Sequence, residues 1–340
     1  MGKPCTAVIA TTREGAMNVR SIGHRAGLRV RRNILFTMVL LLMLGASGAG
    51  CSVRTMAVDR LGDALGSGGT SFASDDDPEL VKAAAPFSLK MMESLLAERP
   101  GHRGLRLAAA SGFTQYAFAF VQQDADELQD DDGDASARLN ARARLLYLRA
   151  RDHALKGIAA NHPGFEDALR ARPQETLQAV RREDVPLIYW AAVSWAAAIS
   201  LSKNDPDLIA DLPYVESLVD RALELDETFE AGALHTFLIA YEFARKDGAS
   251  DAAARSRQHF ERAVELTGGA QAGPFVSLAE AVSVPGQERA EFTSLLGRAL
   301  AIDVNARPEW RLANLIMQRR ARWLLSRMDR LFYGSAEAKR

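Results

Sequence analysis

The sequence predicts an all-α protein, organised as a tetratricopeptide-like array of antiparallel helix pairs. Apolar residues recur at helical spacing along most of the chain, and no stretch shows the alternation that is typical of a strand. Short breaks that contain Pro, Gly or Asp separate the helical segments. Three similar helix ends recur at the spacing of a two-helix repeat: RALELD (221–226), RAVELT (262–267) and RALAID (298–303). We expect the Ala of each segment to lie between packed helices. The last residue of each segment, Asp or Thr, is expected to cap the next helix.

Residues 1–50 are predicted to be a signal peptide of the lipoprotein type. The apolar run at 34–44 is shorter than the ~20 residues that cross a bilayer, and basic residues precede it, as in an export signal. Small residues then lead directly to Cys51, where a bacterial lipoprotein would be cleaved and lipidated. Cys51 is therefore the predicted lipidation site, although Gly48 stands where such signals usually carry a Leu-like residue. An ordinary cleaved signal is the alternative.

Charge and cysteine content exclude other classes. The net charge of the chain is −1, and the first 50 residues are basic, so the remainder is acidic. An exported acidic chain is a poor nucleic-acid binder. Since Cys51 has no second cysteine after the cleavage site, the mature fold is expected to contain no intramolecular disulfide.

Residues 51–75, rich in Gly and Ser, are predicted to be a tether, and residues 76–335 a helical repeat domain. In the domain's first helix, Asp76 or Asp77 is expected to cap the free N–H groups and Pro78 to occupy the first turn. Helical spacing gives this helix an apolar face made of Leu80, Ala84, Phe87, Met91 and Leu95.

The remaining helices follow from the same periodicity. An acidic stretch at 124–137 is interpreted as a solvated loop between two of them. The expected helices lie at 77–98, 103–123, 138–159, 165–180, 185–202, 212–225, 229–246, 251–267, 272–284, 287–302 and 307–332.

Two of these helices are unusually apolar for elements that face solvent. The stretch 112–123 carries aromatic residues around most of its circumference, and 185–200 combines large rings with a series of alanines. A helix that is apolar all round is either buried in a core or lines an apolar cavity, and both interpretations stay open. In the second case the candidate ligand-binding residues are Phe113, Tyr116, Phe120, Tyr189, Trp190 and Trp195.

Common catalytic patterns are absent from the sequence. It contains no G-x-S-x-G, no H-E-x-x-H and no phosphate-binding glycine loop, and its histidines are scattered. His153 has the charged neighbours Arg149 and Asp152, so we expect it to be solvated. The sequence therefore predicts no enzyme, no cofactor and no metal site.

The basic C-terminal helix has two interpretations. Its many arginines either form a solvated face on a capping helix or provide a docking surface for an acidic partner. Within it, Asn314 and Gln318 are either an ordinary exposed pair or a polar contact across a subunit interface.

Several segments taken together resemble the T-component family of TRAP transporters (TatT-like lipoproteins). The segments run in order along the chain: DDDPELVKAAAPFSLKMMESLL, YAFAFVQ, LYLRARDHALKG, DVPLIYWAAVSWAAAISL, DLPYVESLVDRALELDETFEAGALH, HFERAVEL and LANLIMQRRARWLLSRMDRLF. The resemblance implies a periplasmic homotrimer, lipid-anchored through Cys51 to the inner or outer membrane. It also implies docking of the periplasmic solute-binding P-component and the binding or presentation of a hydrophobic small molecule. The alternative is a generic tetratricopeptide-like lipoprotein scaffold for protein–protein interaction in the cell envelope.

Overall fold

The computed structural model describes residues 69–245 and 251–333, together with the isolated positions 38 and 60. Every regular element in these residues is a helix, which confirms the all-α class. The predicted signal peptide, Cys51 and residues 51–68 of the tether lie outside the described residues, apart from the two isolated positions. The α-helices are α1 Gly69–Ala73, α2 Pro78–Glu98, α3 Arg103–Ala117, α4 Gln123–Leu128, α5 Gly133–Ala159, α6 Phe165–Ala171, α7 Pro173–Gln178, α8 Val185–Ser200, α9 Pro206–Ile209, α10 Leu212–Leu225, α11 Ala233–Tyr241, α12 Ala252–Thr267, α13 Gly273–Leu278, α14 Arg289–Leu300, α15 Arg311–Ser326 and α16 Met328–Leu331.

Helix α2 begins as the sequence predicts. The Asp77 carboxylate accepts hydrogen bonds from the backbone N–H groups of Glu79 and Leu80, both at 3.0 Å. Pro78 is the first helical residue, where its missing N–H costs nothing. Of the two candidates, Asp76 and Asp77, it is thus Asp77 that caps the helix.

The apolar face predicted for α2 is wrong. Phe87 is 74% exposed and Leu80 is 57% exposed, whereas Val81, Leu89, Met92 and Leu96 are buried. Both sets recur at helical spacing, so periodicity alone does not distinguish them. The neighbouring helix α3 determines which set is buried. A Cβ on Gly112 of α3 would lie 2.7 Å from the Leu89 side chain, so Leu89 packs directly on the α3 backbone.

The acidic stretch at 124–137 is helical at both of its ends. Helix α3 continues through a π-helical turn, Phe118–Gln122, into α4, and α5 begins at Gly133. The prediction of a solvated loop at 124–137 is therefore wrong, except for the short connection between α4 and α5.

Consecutive helices pack against each other along the chain. Helix α5 lies between α3 and α8, and α8 also packs on α10. Gly157 of α5 permits this close approach, because a Cβ there would lie 2.7 Å from the Leu187 side chain of α8. One hydrophobic core extends from α2 to α11 and a second from α11 to α16. The alanines of the three repeated helix ends are fully buried, as expected: Ala222, Ala263 and Ala299.

The final residues of the repeats do not cap the helices that follow them. Asp226 bonds Arg182 and Thr228, and the Thr267 hydroxyl donates to Ala263 in its own helix. The N–H of Ala272, the residue before α13, donates instead to Asn314 Oδ1 on α15 at 2.8 Å.

Helix α15 contacts both ends of the described chain. Its Asn314 and Gln318 are 2% and 5% exposed and bond backbone groups of the same chain, so the exposed interpretation of this pair is wrong. The Arg311 guanidinium donates to the Ser74 carbonyl oxygen at 2.8 Å, which holds the end of the predicted tether against α15. In the residues that the structure describes, no helix is both long and apolar enough to cross a membrane.

Candidate functional site

All six candidate ligand-binding residues are buried. Trp195 has no exposed surface, and the other five are between 3% and 9% exposed. Burial agrees with either interpretation of the two apolar helices, so the surroundings of each ring carry the functional argument.

The rings lie in separate places. Tyr116 and Phe120 form a pair at the π-helical turn, with centroids 5.8 Å apart. Tyr189 meets Trp190 edge to face at 4.9 Å. No ring contact in the described residues joins a candidate ring of α3 to one of α8. The structure therefore brings together two pairs and leaves Phe113 and Trp195 in other surroundings.

Phe113 covers a buried charged cluster. Its ring stacks on His153 at 5.7 Å, and the His153 ring nitrogens lie 2.9 Å from Arg106 Nη1 and 3.3 Å from Glu93 Oε1. Burial lowers the pKa of His153 despite the Glu93 carboxylate beside it. For Glu93, burial opposes ionisation, yet hydrogen bonds from Lys90, His153 and Arg149 lower the pKa below its ordinary value. The prediction that His153 is solvated is wrong, because α2 and α3 cover this part of α5.

Trp195 lies among cations and another ring. The guanidinium of Arg151 is 5.1 Å from the Trp195 ring centroid and that of Arg170 is 5.5 Å away, while Tyr214 stacks at 6.1 Å. The indole N–H of Trp195 is buried and has no hydrogen-bond acceptor in the described protein. These contacts explain the position of the ring and leave its polar end unpaired.

The π-helical turn carries a feature that the sequence did not indicate. Gln122 Oε1 accepts from the Tyr147 hydroxyl at 2.6 Å. The next residue, Gln123, is only 1% exposed, and neither polar atom of its side chain has a hydrogen-bond partner. Buried amides are almost always hydrogen-bonded, so an unpaired one requires an explanation. π-Helical turns are frequent at functional sites.

A polar groove lies elsewhere, between the start of α5 and the connection from α8 to α9. Its volume is about 810 Å³, and none of the six candidate rings lines it. The polar groove is lined by Gln129, Gly133, Ser136, Ala137, Asn140, Arg144 and residues 200–206.

Two scattered histidines meet in the fold. His235 Nδ1 and His259 Nδ1 are 2.9 Å apart, and His259 faces the buried carboxylate of Glu242. Burial opposes ionisation of Glu242, but hydrogen bonds from His259, Arg255 and Arg245 lower its pKa to about 2. In the described part of the chain, no three His, Cys, Asp or Glu residues are grouped to hold a metal ion.

Two comparisons with known proteins bear on this arrangement. The model of the family described as TRAP transporter T-component matches residues 74–332. A protein of Treponema pallidum (strain Nichols), described as an uncharacterized protein, is 31% identical over 265 residues, which are 77% of this chain and 82% of the relative. The residues that the family model matches include the fifteen helices α2 to α16 of the described chain and extend across both hydrophobic cores.

Proposed function

We propose, from the premise that this chain belongs to the TRAP transporter T-component family, that it is a periplasmic lipoprotein accessory of a TRAP transporter. In this role it binds or presents a hydrophobic small molecule and docks the periplasmic solute-binding P-component. Transport itself is driven elsewhere, by the membrane subunits, and this chain contributes binding and hand-off.

One observation carries the ligand part of the proposal. The buried Tyr116 and Phe120 rings lie at the π-helical turn that leads directly into Gln123, whose buried amide has no partner. Rings of this kind accept an apolar body, and a buried amide fixes the orientation of a polar end. The ligand that we propose is therefore mostly apolar, with one polar group that pairs with Gln123.

Mass spectrometry of the full-length protein tests this assignment. Compared under native and denaturing conditions, the purified wild type is expected to release an apolar molecule. Gln123→Leu is expected to lower the affinity for that molecule about five- to a hundredfold, and the amount released with it, because a lost hydrogen bond in a buried site costs on the order of 1–3 kcal/mol.

The matched control is Gln115→Leu, the same change at an exposed position of α3. If Gln123 serves only the fold, replacing an unpaired buried amide by an apolar side chain is neutral or stabilising and leaves occupancy unchanged. Repeatedly empty wild-type protein, or full occupancy in Gln123→Leu, would contradict the proposed site.

The lipid anchor is tested independently. Because a diacylated cysteine at the mature N-terminus holds a protein on a membrane, Cys51→Ala is expected to move the protein from the membrane pellet to the soluble periplasmic fraction. Unchanged fractionation would reject Cys51 as the anchor while leaving the ligand site untouched.

The proposed homotrimer predicts three times the protomer mass in native mass spectrometry, and P-component docking predicts co-elution of the two purified proteins.

The alternative function, an envelope scaffold, is favoured by the exposed apolar side chains of α2. Leu80 and Phe87 lie seven positions apart on the solvent side of that helix, where both side chains are available to contact a partner. Gene neighbourhood distinguishes the two functions, since an accessory is expected beside genes for a P-type binding protein and a permease.

A further inference from the structure

Two histidines join α11 to α12 at the place where the two hydrophobic cores meet. Leu234 and Leu238 of α11 belong to the first core, and Ile239 of the same helix belongs to the second. His235 of α11 and His259 of α12 face each other, with ring centroids 5.1 Å apart and Nδ1 atoms 2.9 Å apart. A change in this contact therefore acts where the cores are joined.

The groups beside the outer ring nitrogens determine how many protons the pair carries. His259 Nε2 lies 3.5 Å from Glu242 Oε1. His235 Nε2 is buried, makes no hydrogen bond in the described protein and lies 3.7 Å from Glu227 Oε1. Because carboxylates only accept, a proton on each Nε2 is favoured over a bare lone pair. The two Nδ1 atoms, at hydrogen-bond distance, then share one proton, and the pair carries one positive charge.

This geometry has no place for a further proton. With an N–H on both Nδ1 atoms, two donors would face each other at 2.9 Å and two imidazolium rings would lie 5.1 Å apart. Like charges this close disfavour ionisation. Burial and the neighbouring His259 lower the pKa of His235, although Glu227 acts in the opposite direction. The pair as it stands thus holds one proton between its rings and excludes another.

The two carboxylates beside the pair are already bound to arginines. Glu242 pairs with Arg245 at 2.7 Å and with Arg255 at 2.5 Å. Glu227 pairs with Arg262 of α12 at 2.5 Å. Neither carboxylate is free to compensate a further positive charge on the histidines.

Other charged groups on the elements around the pair face different partners. Helix α13 has no titratable side chain, and Glu261 of α12 is exposed. Glu230, in the turn before α11, acts instead on Tyr189 of α8. Ion pairs engage others on α10, on α12 and in the nearby turns: Glu216 and Asp220 with Arg245, Arg221 with Glu224, Asp226 with Arg182, Arg262 with Glu265, Arg257 with Glu288 and Glu291, and Glu280 with Arg320.

We propose that His235 and His259 form an acid-sensitive contact that releases α12 from α11. At neutral pH, one proton shared by the two Nδ1 atoms joins the helices. In mild acid, a further proton separates the rings, and the second core loosens from the first. This inference is independent of the proposed ligand and of the lipid anchor, because it involves neither site.

Amide hydrogen exchange of the purified full-length protein, measured by mass spectrometry at about pH 7.5 and about pH 5.5, tests the proposal. After correction for intrinsic exchange rates, the protection of α11 and α12 is expected to fall about tenfold. The reason is that an open form that binds one more proton gains a factor of about ten per pH unit below the ordinary histidine pKa of about 6.5. The protection of α3, α5 and α8 is expected to stay unchanged.

His235→Asn separates the second charge from the contact itself. An Asn Oδ1 lies about where the histidine Nδ1 would be, so it can accept from His259 Nδ1–H, and it takes up no proton. The protection of α11 and α12 in this variant is expected to change by less than about twofold between the two pH values. The matched control is His162→Asn, at a histidine that pairs with Asp184 instead, and it should keep the acid response of wild type.

Exchange of the histidine ring C2–H, also read by mass spectrometry, follows the titration of each ring without relying on His235→Asn. In wild type, His235 is expected to titrate below about pH 6.5 and together with the loss of protection in α11. In His259→Gln, its midpoint should move upward by about one pH unit, because the neighbouring positive charge is gone. Circular dichroism verifies that each variant is folded.

Three results would overturn the proposal. The first is unchanged protection of α11 and α12 in mild acid, and the second is a wild-type acid response in folded His235→Asn. The third is an equal loss of protection in both cores, which would mean that acid weakens the whole fold. Glu242 does not produce the expected response, because its pKa of about 2 leaves it ionised at both pH values.

Discussion

Glu242 is the residue whose ionisation is most closely tied to the fold. Its side chain is 2% exposed and meets three partners, Arg245 at 2.7 Å, Arg255 at 2.5 Å and His259 at 3.5 Å. A carboxylate surrounded in this way stays ionised in the folded state far below the pH at which it protonates in the unfolded chain. The pH dependence of stability therefore reports on this cluster.

Glu242→Gln is expected to lower the free energy of unfolding by about 3 kcal/mol near neutral pH, because the buried carboxylate is lost from its pairs with Arg245, Arg255 and His259. The folded-state pKa of about 2 lies below the ordinary value of 4.5, so the contribution is present above pH 4.5 and is lost as the pH falls towards 2. Urea unfolding at several pH values should show wild type and variant converging on acidification. Glu261→Gln, at an exposed position of α12, should show no such difference. A gap between Glu242→Gln and wild type that did not narrow on acidification would contradict the assignment.

At the residue scale, the sequence shows the chemistry of a side chain better than it shows what surrounds that side chain. It shows that Phe113, Tyr116 and Trp195 are unusual for their helices, and all three are buried. It does not show that His153 is covered, because the neighbours that bury His153 come from α2 and α3. Gln123 carries no signal at all in the sequence, since an unpaired amide is a property of what surrounds it.

At the scale of single helices, α2 shows the limit of periodicity. Its two apolar stripes have nearly the same spacing, and only the contact with Gly112 of α3 shows which one is buried. The same limit applies to the caps. Local sequence predicts the Asp77 cap correctly because Asp77 and the N–H groups that donate to it are neighbours in the chain, whereas the N–H just before α13 donates to Asn314, 42 positions away.

Paired substitutions test the orientation of α2. Leu89→Ala is expected to lower the free energy of unfolding by about 2–5 kcal/mol, because it opens a cavity against α3. Phe87→Ala removes a larger side chain, yet it should change stability by no more than about 0.5 kcal/mol, because Phe87 is 74% exposed. Urea unfolding monitored by circular dichroism measures both. Equal losses, or a larger loss for Phe87→Ala, would mean that the sequence-predicted face is the buried one after all.

At the scale of the whole molecule, acidic and basic segments far apart in sequence meet each other. Arg319 of α15 pairs with Asp124 and Glu127 of α4, although Arg319 and Asp124 are 195 positions apart. Both segments are conspicuous in the sequence, one as an acidic stretch and the other as a basic helix. Their pairing is not predictable from either, because charge patterning gives the chemistry of a face and not its partner. Arginines of α15 therefore meet acidic side chains of the same chain, and docking of a separate acidic partner stays a prediction.

Arg320 is the most buried cation of this contact. Its side chain is 12% exposed and donates to Asp126 and Glu280, each at 2.7 Å, so it joins α4 and a second π-helical turn, Ala279–Ser283, to α15. Arg320→Gln leaves two carboxylates without their counter-charge and is expected to lower the free energy of unfolding by about 3 kcal/mol. Arg322→Gln lies two positions away at an exposed site and is expected to change it by less than about 0.5 kcal/mol.

The dependence on salt distinguishes this contact from ordinary surface pairs. Screening weakens exposed ion pairs much more than buried ones, so the stability difference between Arg320→Gln and Arg322→Gln should persist in concentrated salt. Hydrogen exchange should locate the damage in α4, in α15 and in the π-helical turn Ala279–Ser283, because those are the elements that the Arg320 pairs hold together. Two results would contradict this expectation: a stability difference that vanishes in salt, or protection that is lost first around α8. Either result would mean that the contact between α4 and α15 contributes little to the stability of the chain.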